Sequence, residues 1–537
     1  MAQALGDDVT GAWWSDAVGY EVYLRSFADS DGDGIGDLAG LTARLDHLAD
    51  LGVDIVWVTP FYPSPMADFG YDVADHEGVD PRFGTLDDFD RLQAAVHERG
   101  MRLLIDLVPN HTSDQHPWFR SALEGRDSPD RDRYLWRDPA PDGGPPNNWR
   151  SHFGGPAWTL DEASGQYFCH LFLPEQPDLN WANDDVRRDF EAILRTWLER
   201  GADGFRIDVA HSLVKHPSFG DNPVLVERTP EMSPWEQFHA QRHDHDLDQP
   251  GVLDVYRSWR RITADHDAVL LGEVYLDDPE RVGAYVAEGV LDLSFYFPVL
   301  HTTWDPDVLA DVVQASLRHG RGRFTWVHSS HDDPRSVSRF GGGEVGRRRA
   351  LSFLAFTAFL PGPLFLYQGD ELGLEDGVVD PAAAADPVAV RNPGAAGGRD
   401  PVRTPMPWTP GAPNLGFSTG TPWLPVAENH TDEQTVEAQR ADPSSTLHRV
   451  RDLLALRRRR RPLPDAVTWL GDDVPTGVLA YRRGGLLVAL HAGTEPVILS
   501  VAEGASVAFA NGDVAIGEGQ LRLGPDAVAV VDDRRGP

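Results

Sequence analysis

Cysteine is almost absent from the chain. Cys169 stands alone, so no intrachain disulfide can form, and 537 residues can bury a core large enough not to need one. Lysine is as scarce: Lys215 is the only one among 48 basic residues, a skew that reads as genomic composition bias. Positive charge is short overall, since 84 Asp and Glu leave a formal charge of -36. Such a surface repels nucleic acid and anionic membranes. No nucleic-acid or membrane partner is expected, and a neutral ligand such as a sugar fits better. No stretch approaches the roughly 18 apolar residues of a membrane span. The opening MAQALGDDVTGAWW has neither the basic start nor the apolar centre of a secretory leader, so the expectation is a cytoplasmic protein.

What the chain does have is a rhythm. Eight short apolar runs rich in β-formers recur in the first 370 residues: EVYLRSF from Glu21, IVWVTP from Ile55, RLLIDLV from Arg102, GFRIDV from Gly204, AVLLGEV from Ala268, LDLSFYF from Leu291, FTWVHSS from Phe324 and PLFLYQG from Pro363. Continuous apolar character means burial on both faces, as in a parallel sheet covered by helices. Segments of helical spacing that end in Gly, such as DVRRDFEAILRTWLERG from Asp185, lie between them. Eight strand–helix units predict an α/β fold, a closed (β/α)₈ TIM barrel rather than an open sheet.

Two excursions interrupt the rhythm. Residues 112–182 are rich in Pro, Gly and Trp and far exceed an ordinary connection of about 2–6 residues, which predicts a small subdomain inserted after the third strand. The barrel is then expected over 1–111 and 183–462. From Gly377 to about Thr421 a second excursion carries RTPMPW, Arg403 to Trp408, too distinctive for plain disorder. Beyond the Arg-rich segment that ends at Arg461, short alternating runs with Gly turns predict a C-terminal antiparallel β-sandwich over 463–537.

A barrel builds its site at the C-terminal ends of its strands. The polar residues there are His111 after the third strand, Arg206 and Asp208 on the fourth, Glu273 on the fifth, and His331 and Asp332 after the seventh. Three acids at one barrel mouth raise one another's pKa and are costly unless they work together. Glycosidic-bond cleavage needs such a set: one carboxylate to attack, one carboxyl to protonate the leaving oxygen.

With these motifs the chain resembles glycoside hydrolase family 13, in its oligo-1,6-glucosidase and α-glucosidase branch. The matching stretches are DLVPNH (Asp106 to His111), GFRIDVAH (Gly204 to His211), GEV (Gly272 to Val274), SHDDPR (Ser330 to Arg335), QPDLNW (Gln176 to Trp181) and GVDIVWVTP from Gly52. The resemblance implies Asp208 as nucleophile, Glu273 as acid/base and Asp332 as a clamp on sugar hydroxyls. It further implies Arg206 holding Asp208 ionised, and His111 and His331 donating to hydroxyls. Tyr71 would stack, Asp72 would accept from a hydroxyl, Arg399 would touch the same sugar, and Phe153 and Phe172 would form apolar walls. The substrate would be a small α-glucoside, cleaved by a monomer or homodimer, without an organic cofactor. Ser330 departs from the family's usual Asn, with a local effect on packing or hydrogen bonding expected. Transglucosylation or sucrose isomerisation would use the same glucosyl-enzyme. A non-enzymatic relative of the same fold is disfavoured by the intact acids.

A second motif, DSDGDGIGD from Asp29 to Asp37, alternates acids with glycines and suits a hard cation. It starts like an EF-hand, but the position eleven residues after Asp29 is Gly40, not Glu. In the family this loop binds a structural divalent ion, so Asp29, Asp31, Asp33, Ile35 and Asp37 are the expected ligands of Ca²⁺ or Mg²⁺. RHDHDLD, Arg242 to Asp248, imitates a metal cluster but reads as solvated surface.

Overall fold

The computed structural model describes residues 12–229, 231–392 and 398–533. Its centre is a closed barrel of eight parallel strands: β1 Val18–Val22, β2 Ile55–Val58, β3 Arg102–Leu107, β4 Gly204–Ile207, β5 Val269–Gly272, β6 Leu293–Phe295, β7 Phe324–Val327 and β8 Leu364–Tyr367. Each pairs with its neighbours in sequence, and β8 closes on β1 with Val18 opposite Leu364. Every expected run forms a strand, with one shift. The first strand starts at Val18, so Glu21 sits near its end rather than at its beginning. Gly19 hides the apolar pattern there, and the chain turns into a 3₁₀ segment at Leu24.

Gly19 is small for a reason. A Cβ at this position would lie 2.3 Å from the Phe365 ring on the paired strand. Phe365 belongs to the plug that fills the barrel, with Ile55, Trp57, Leu104, Leu271 and Phe295. Alternation along the strands puts those apolar side chains inside, and in the next layer toward the C-terminal end it puts Glu21, Asp106 and Arg206. The helices cover the outside, burying the larger apolar cluster between themselves and the strands.

Two of the connections are elaborate. The insertion after β3 holds a three-stranded antiparallel sheet, Trp136–Arg137, Trp158–Asp161 and Gln166–Cys169. It is tied to the barrel by a bridge between His111 and Asp178. Lys215 locks that junction: its buried Nζ sits 2.9 Å from Asp178 and donates to Asn110 at 3.0 Å. The excursion after β8 runs back over the barrel mouth in short helical turns. The C-terminal region packs a five-stranded antiparallel sheet against a three-stranded one, with Leu487, Leu499, Leu521 and Val531 in between. Among the described residues no helix is long and apolar enough to cross a membrane.

Candidate active site

At the C-terminal end of the barrel lies a cavity of about 950 Å³. Its floor is a charged layer with one cation at its centre. Arg206 points inward from β4. Its Nη1 donates to Asp106 and to Asp208, both at 2.8 Å, and its Nη2 donates to Glu273 at 2.6 Å. All four side chains are buried. A single guanidinium therefore faces three carboxyl groups. Asp208 and Glu273 thus sit on the two nitrogens of one guanidinium.

Electrostatics follow from that count. Burial works against the Arg206 charge, but Asp106, Glu273 and Asp208 outweigh it and hold the group firmly protonated. Burial pushes the Asp208 carboxyl up; Arg206 pulls it down, while Glu273 and Asp106 push the same way as burial. Glu273 is raised by burial, against Arg206. Asp106 rises to about 7 for the same reason. Three acids sharing one cation retain a proton among them at neutral pH. Asp332 is the exception. Burial opposes its charge, yet His331, Arg403 and Arg399 hold its carboxyl well below the usual range.

The backbone after Asp208 is strained. Val209 has φ 36°, a conformation that costs a β-branched residue energy. The turn aims the Val209 amide at Glu273 Oε2, 2.9 Å away. It thus fixes the second carboxyl relative to the first.

The wall over Asp332 comes from several loops. His331 Nε2 lies 2.8 Å from the Tyr71 hydroxyl, and its Nδ1 lies 2.5 Å from Glu21. Burial pushes the pKa of His331 well down and that of His111 to about 4. Ser330 Oγ accepts from the Asp332 and Asp333 amides at 3.1 Å each and donates to Asp333, so the departure from Asn keeps a loop-shaping role. Arg403 donates to Asp332 at 2.5 Å and to the His331 carbonyl. Arg399 reaches Asp332 at 3.3 Å, Asp68 at 2.7 Å and Asp386 at 2.9 Å. It stacks over Phe153.

Of the expected residues, Tyr71, His111, Phe153, Phe172, Arg206, Asp208, Glu273, His331, Asp332 and Arg399 all line the cavity. Asp72 does not. Its fully buried carboxylate accepts from the Ala67 and Asp68 amides and is used up in closing its own turn. Asp68 lines the cavity in its place, paired with Arg399 and Gln176. Glu21, Asp106, Gln176 and Arg403 are functional neighbours that motif reading left unassigned. Alternation on β1 and β3 is the signal that places Glu21 and Asp106 inside.

The segment Arg242 to Asp248 corrects another expectation. It is not plain solvated surface. Asp246 is wholly buried against Asn222 and His243, Asp248 pairs with Arg281, and His243, Asp244 and Leu247 line the cavity mouth. On the acidic loop, carboxylate oxygens of Asp29, Asp31 and Asp37 lie within 4.8 Å of one another. Asp33 is outside that group and accepts from the Ile35 amide. Its carboxyl is raised, by burial first and then by the Asp31, Asp29 and Asp37 charges.

Comparison with known proteins agrees with this geometry. The model for the alpha amylase catalytic domain matches residues 21–465. A probable alpha-glucosidase of Rhizobium meliloti (strain 1021) is 42% identical over 461 residues, covering 83% of this chain and 82% of that protein. An oligo-1,6-glucosidase of Parageobacillus thermoglucosidasius is 37% identical, covering 83% and 84%. The crystal structure of an alpha-glucosyl transfer enzyme, XgtA, aligns with a TM-score of 0.89 at 37% identity, over 97% of this chain and 100% of that one.

The crowded floor makes a measurable claim. Asp106→Asn removes one of three acids competing for Arg206, so the remaining carboxyls give up the shared proton more easily. The basic limb of kcat/KM for an α-glucoside then moves to lower pH by roughly one unit. A limb that stays in place or moves up would show that Asp106 does not share that proton.

Proposed function

Because the chain belongs to the α-amylase family of glycoside hydrolases, we propose that it is a retaining, exo-acting α-glucosidase that frees glucose from short α-glucosides through a covalent β-glucosyl-enzyme. One observation carries the mechanism: a single guanidinium, Arg206, bonds Asp208 at 2.8 Å through one nitrogen and Glu273 at 2.6 Å through the other. A retaining enzyme holds its two carboxyls about 5–5.5 Å apart, whereas an inverting one leaves room for water at about 6.5–9.5 Å. A pair bridged by one guanidinium, with the Val209 amide closing on Glu273 from the turn after Asp208, belongs with the first class.

The chemistry then runs in two displacements. Asp208 attacks the anomeric carbon while Glu273 gives its proton to the departing oxygen. The carboxylate left on Glu273 next takes a proton from water as that water's oxygen displaces Asp208, which restores both groups. Asp332, held ionised by its neighbours, accepts hydrogen bonds from sugar hydroxyls as the ring flattens, and the rings of His111 and His331 complete the grip. Transfer to a sugar hydroxyl in place of water is the second reading. The likeness to XgtA, an alpha-glucosyl transfer enzyme, favours it as a side activity from the same intermediate.

Exo-action rests on Arg399. Its links to Asp68, Asp386 and Asp332 close the cavity behind one glucose, so an internal sugar has no exit. The acidic loop supports a structural cation. Asp29, Asp31 and Asp37 gather three carboxylates within 4.8 Å of one another, beside Asp33. Together with the Ile35 carbonyl they would hold Ca²⁺ or Mg²⁺, which would pin this loop to the fold and take no part in the reaction.

Three measurements test these statements. A fluorinated glucosyl donor should label Asp208 and no other residue, Asp208→Asn should take no label, and Glu273→Gln should still be labelled by donors with good leaving groups. Label on a different carboxylate ends the assignment. With maltoheptaose, glucose and maltohexaose should appear first; early maltotriose and maltotetraose mean an open groove. Chelator should lower the melting temperature, because a cation bound only to the folded state stabilises it, and Asp31→Ala should remove that sensitivity. No metal by elemental analysis, with an unchanged melting curve, removes the ion.

A further inference from the structure

The outer half of the cavity has a different chemistry from the floor. There the short helix Pro234–His239 brings Trp235 to the rim, with 54% of its surface exposed. An indole left in water is costly, and this one is not loose. Ser233 and Glu236 cap the helix reciprocally and Pro234 opens it. The His239 ring stacks on the indole at 3.9 Å, and His239 Nδ1 donates to the Trp235 carbonyl. Tyr275 lines the same cavity mouth. Tyr275 follows Glu273 by two residues, packs on Phe297 at 4.5 Å and meets His301 at 3.0 Å. The ring is therefore held by its own helix in the loop after β4, at a mouth it shares with Tyr275 from the loop after β5.

The charges around it are equally specific. Arg242 is held by Asp244 at 2.7 and 2.6 Å, and Arg281 is held by Asp248. Both rim cations are neutralised within the wall, while Asp277, Asp278 and Asp333 also line it. An anionic group such as a phosphate meets net repulsion here. A neutral ring with a flat face meets an indole.

We propose that Trp235 is the binding platform for the leaving group, taking aglycones with an uncharged flat ring face, either the C–H face of a second sugar or an aryl ring. This rests on the α-glucosidase reading of the same site. It explains why a large apolar ring is kept exposed and rigid beside the acid/base, where the departing group must lie. Glucose itself sits on the charged floor and does not reach the indole.

The test separates the platform from the chemistry. kcat/KM is measured for wild type, Trp235→Ala and Trp235→Phe on maltose, 4-nitrophenyl α-glucoside and α-glucosyl fluoride, whose leaving group has no ring. Trp235→Ala should lose about tenfold more on at least one of the ringed substrates than on the fluoride, mainly through KM, and Trp235→Phe should recover most of it. Whichever ringed substrate loses more identifies the ring that the platform takes. Equal losses on all three overturn the proposal, since a structural role would not distinguish leaving groups. Wild type that fails to turn over α-glucosyl fluoride sinks the α-glucosidase reading itself, a separate result.

Discussion

Arg206 is the constraint on which the rest of the molecule depends. Three acids in a dry barrel mouth repel one another, and removing the cation that touches all of them would leave buried charge without a partner. Losing one member of a buried ion pair costs about 3–5 kcal/mol, and here three partners share the loss. The guanidinium also sets geometry. Its planar fork bonds Asp208 through one nitrogen and Glu273 through the other, so the spacing of the two carboxyls is a property of a rigid group and not of flexible loops.

The fold serves that arrangement from both ends. Below it, an apolar plug around Phe365 and Phe295 excludes water and fixes the inward layer by strand alternation. Above it, the excursion after β8 returns with Arg399 and Arg403, which reach Asp332 from 67 and 71 residues further along the chain. The two arginines hold Asp332 ionised while the lower cluster keeps a proton. One cavity thus sets a carboxyl held low beside a cluster of carboxyls that are raised. The division arises from the number of cations each carboxylate meets.

Much of this was legible in the chain itself. Apolar runs bounded by helical spacing marked all eight strands, and polar residues at their ends marked Asp208, Glu273 and Asp332. The parts that stayed hidden have physical reasons. Asp68 and Asp72 lie in one turn, and only the folded backbone decides which carboxylate is consumed by amides and which faces the cavity. Met66 and Phe69 adopt left-handed φ values there, which nothing in their side chains announces. Glu21 was masked because Gly19 broke the apolar run and shifted the apparent start of β1. Asp246 reads as polar surface by composition, yet Asn222 and His243 satisfy it in a buried position.

Lys215 carries a consequence outside the chemistry of sugars. It is the only lysine, and its amine is buried between Asp178 of the insertion and Asn110 of the barrel. Amine-directed reagents therefore find no lysine side chain on the folded surface. The one ε-amine becomes reactive when this junction opens. The rate at which it is labelled is thus a clock for the opening of that single junction, unblurred by the background of surface lysines that such chemistry meets in most proteins.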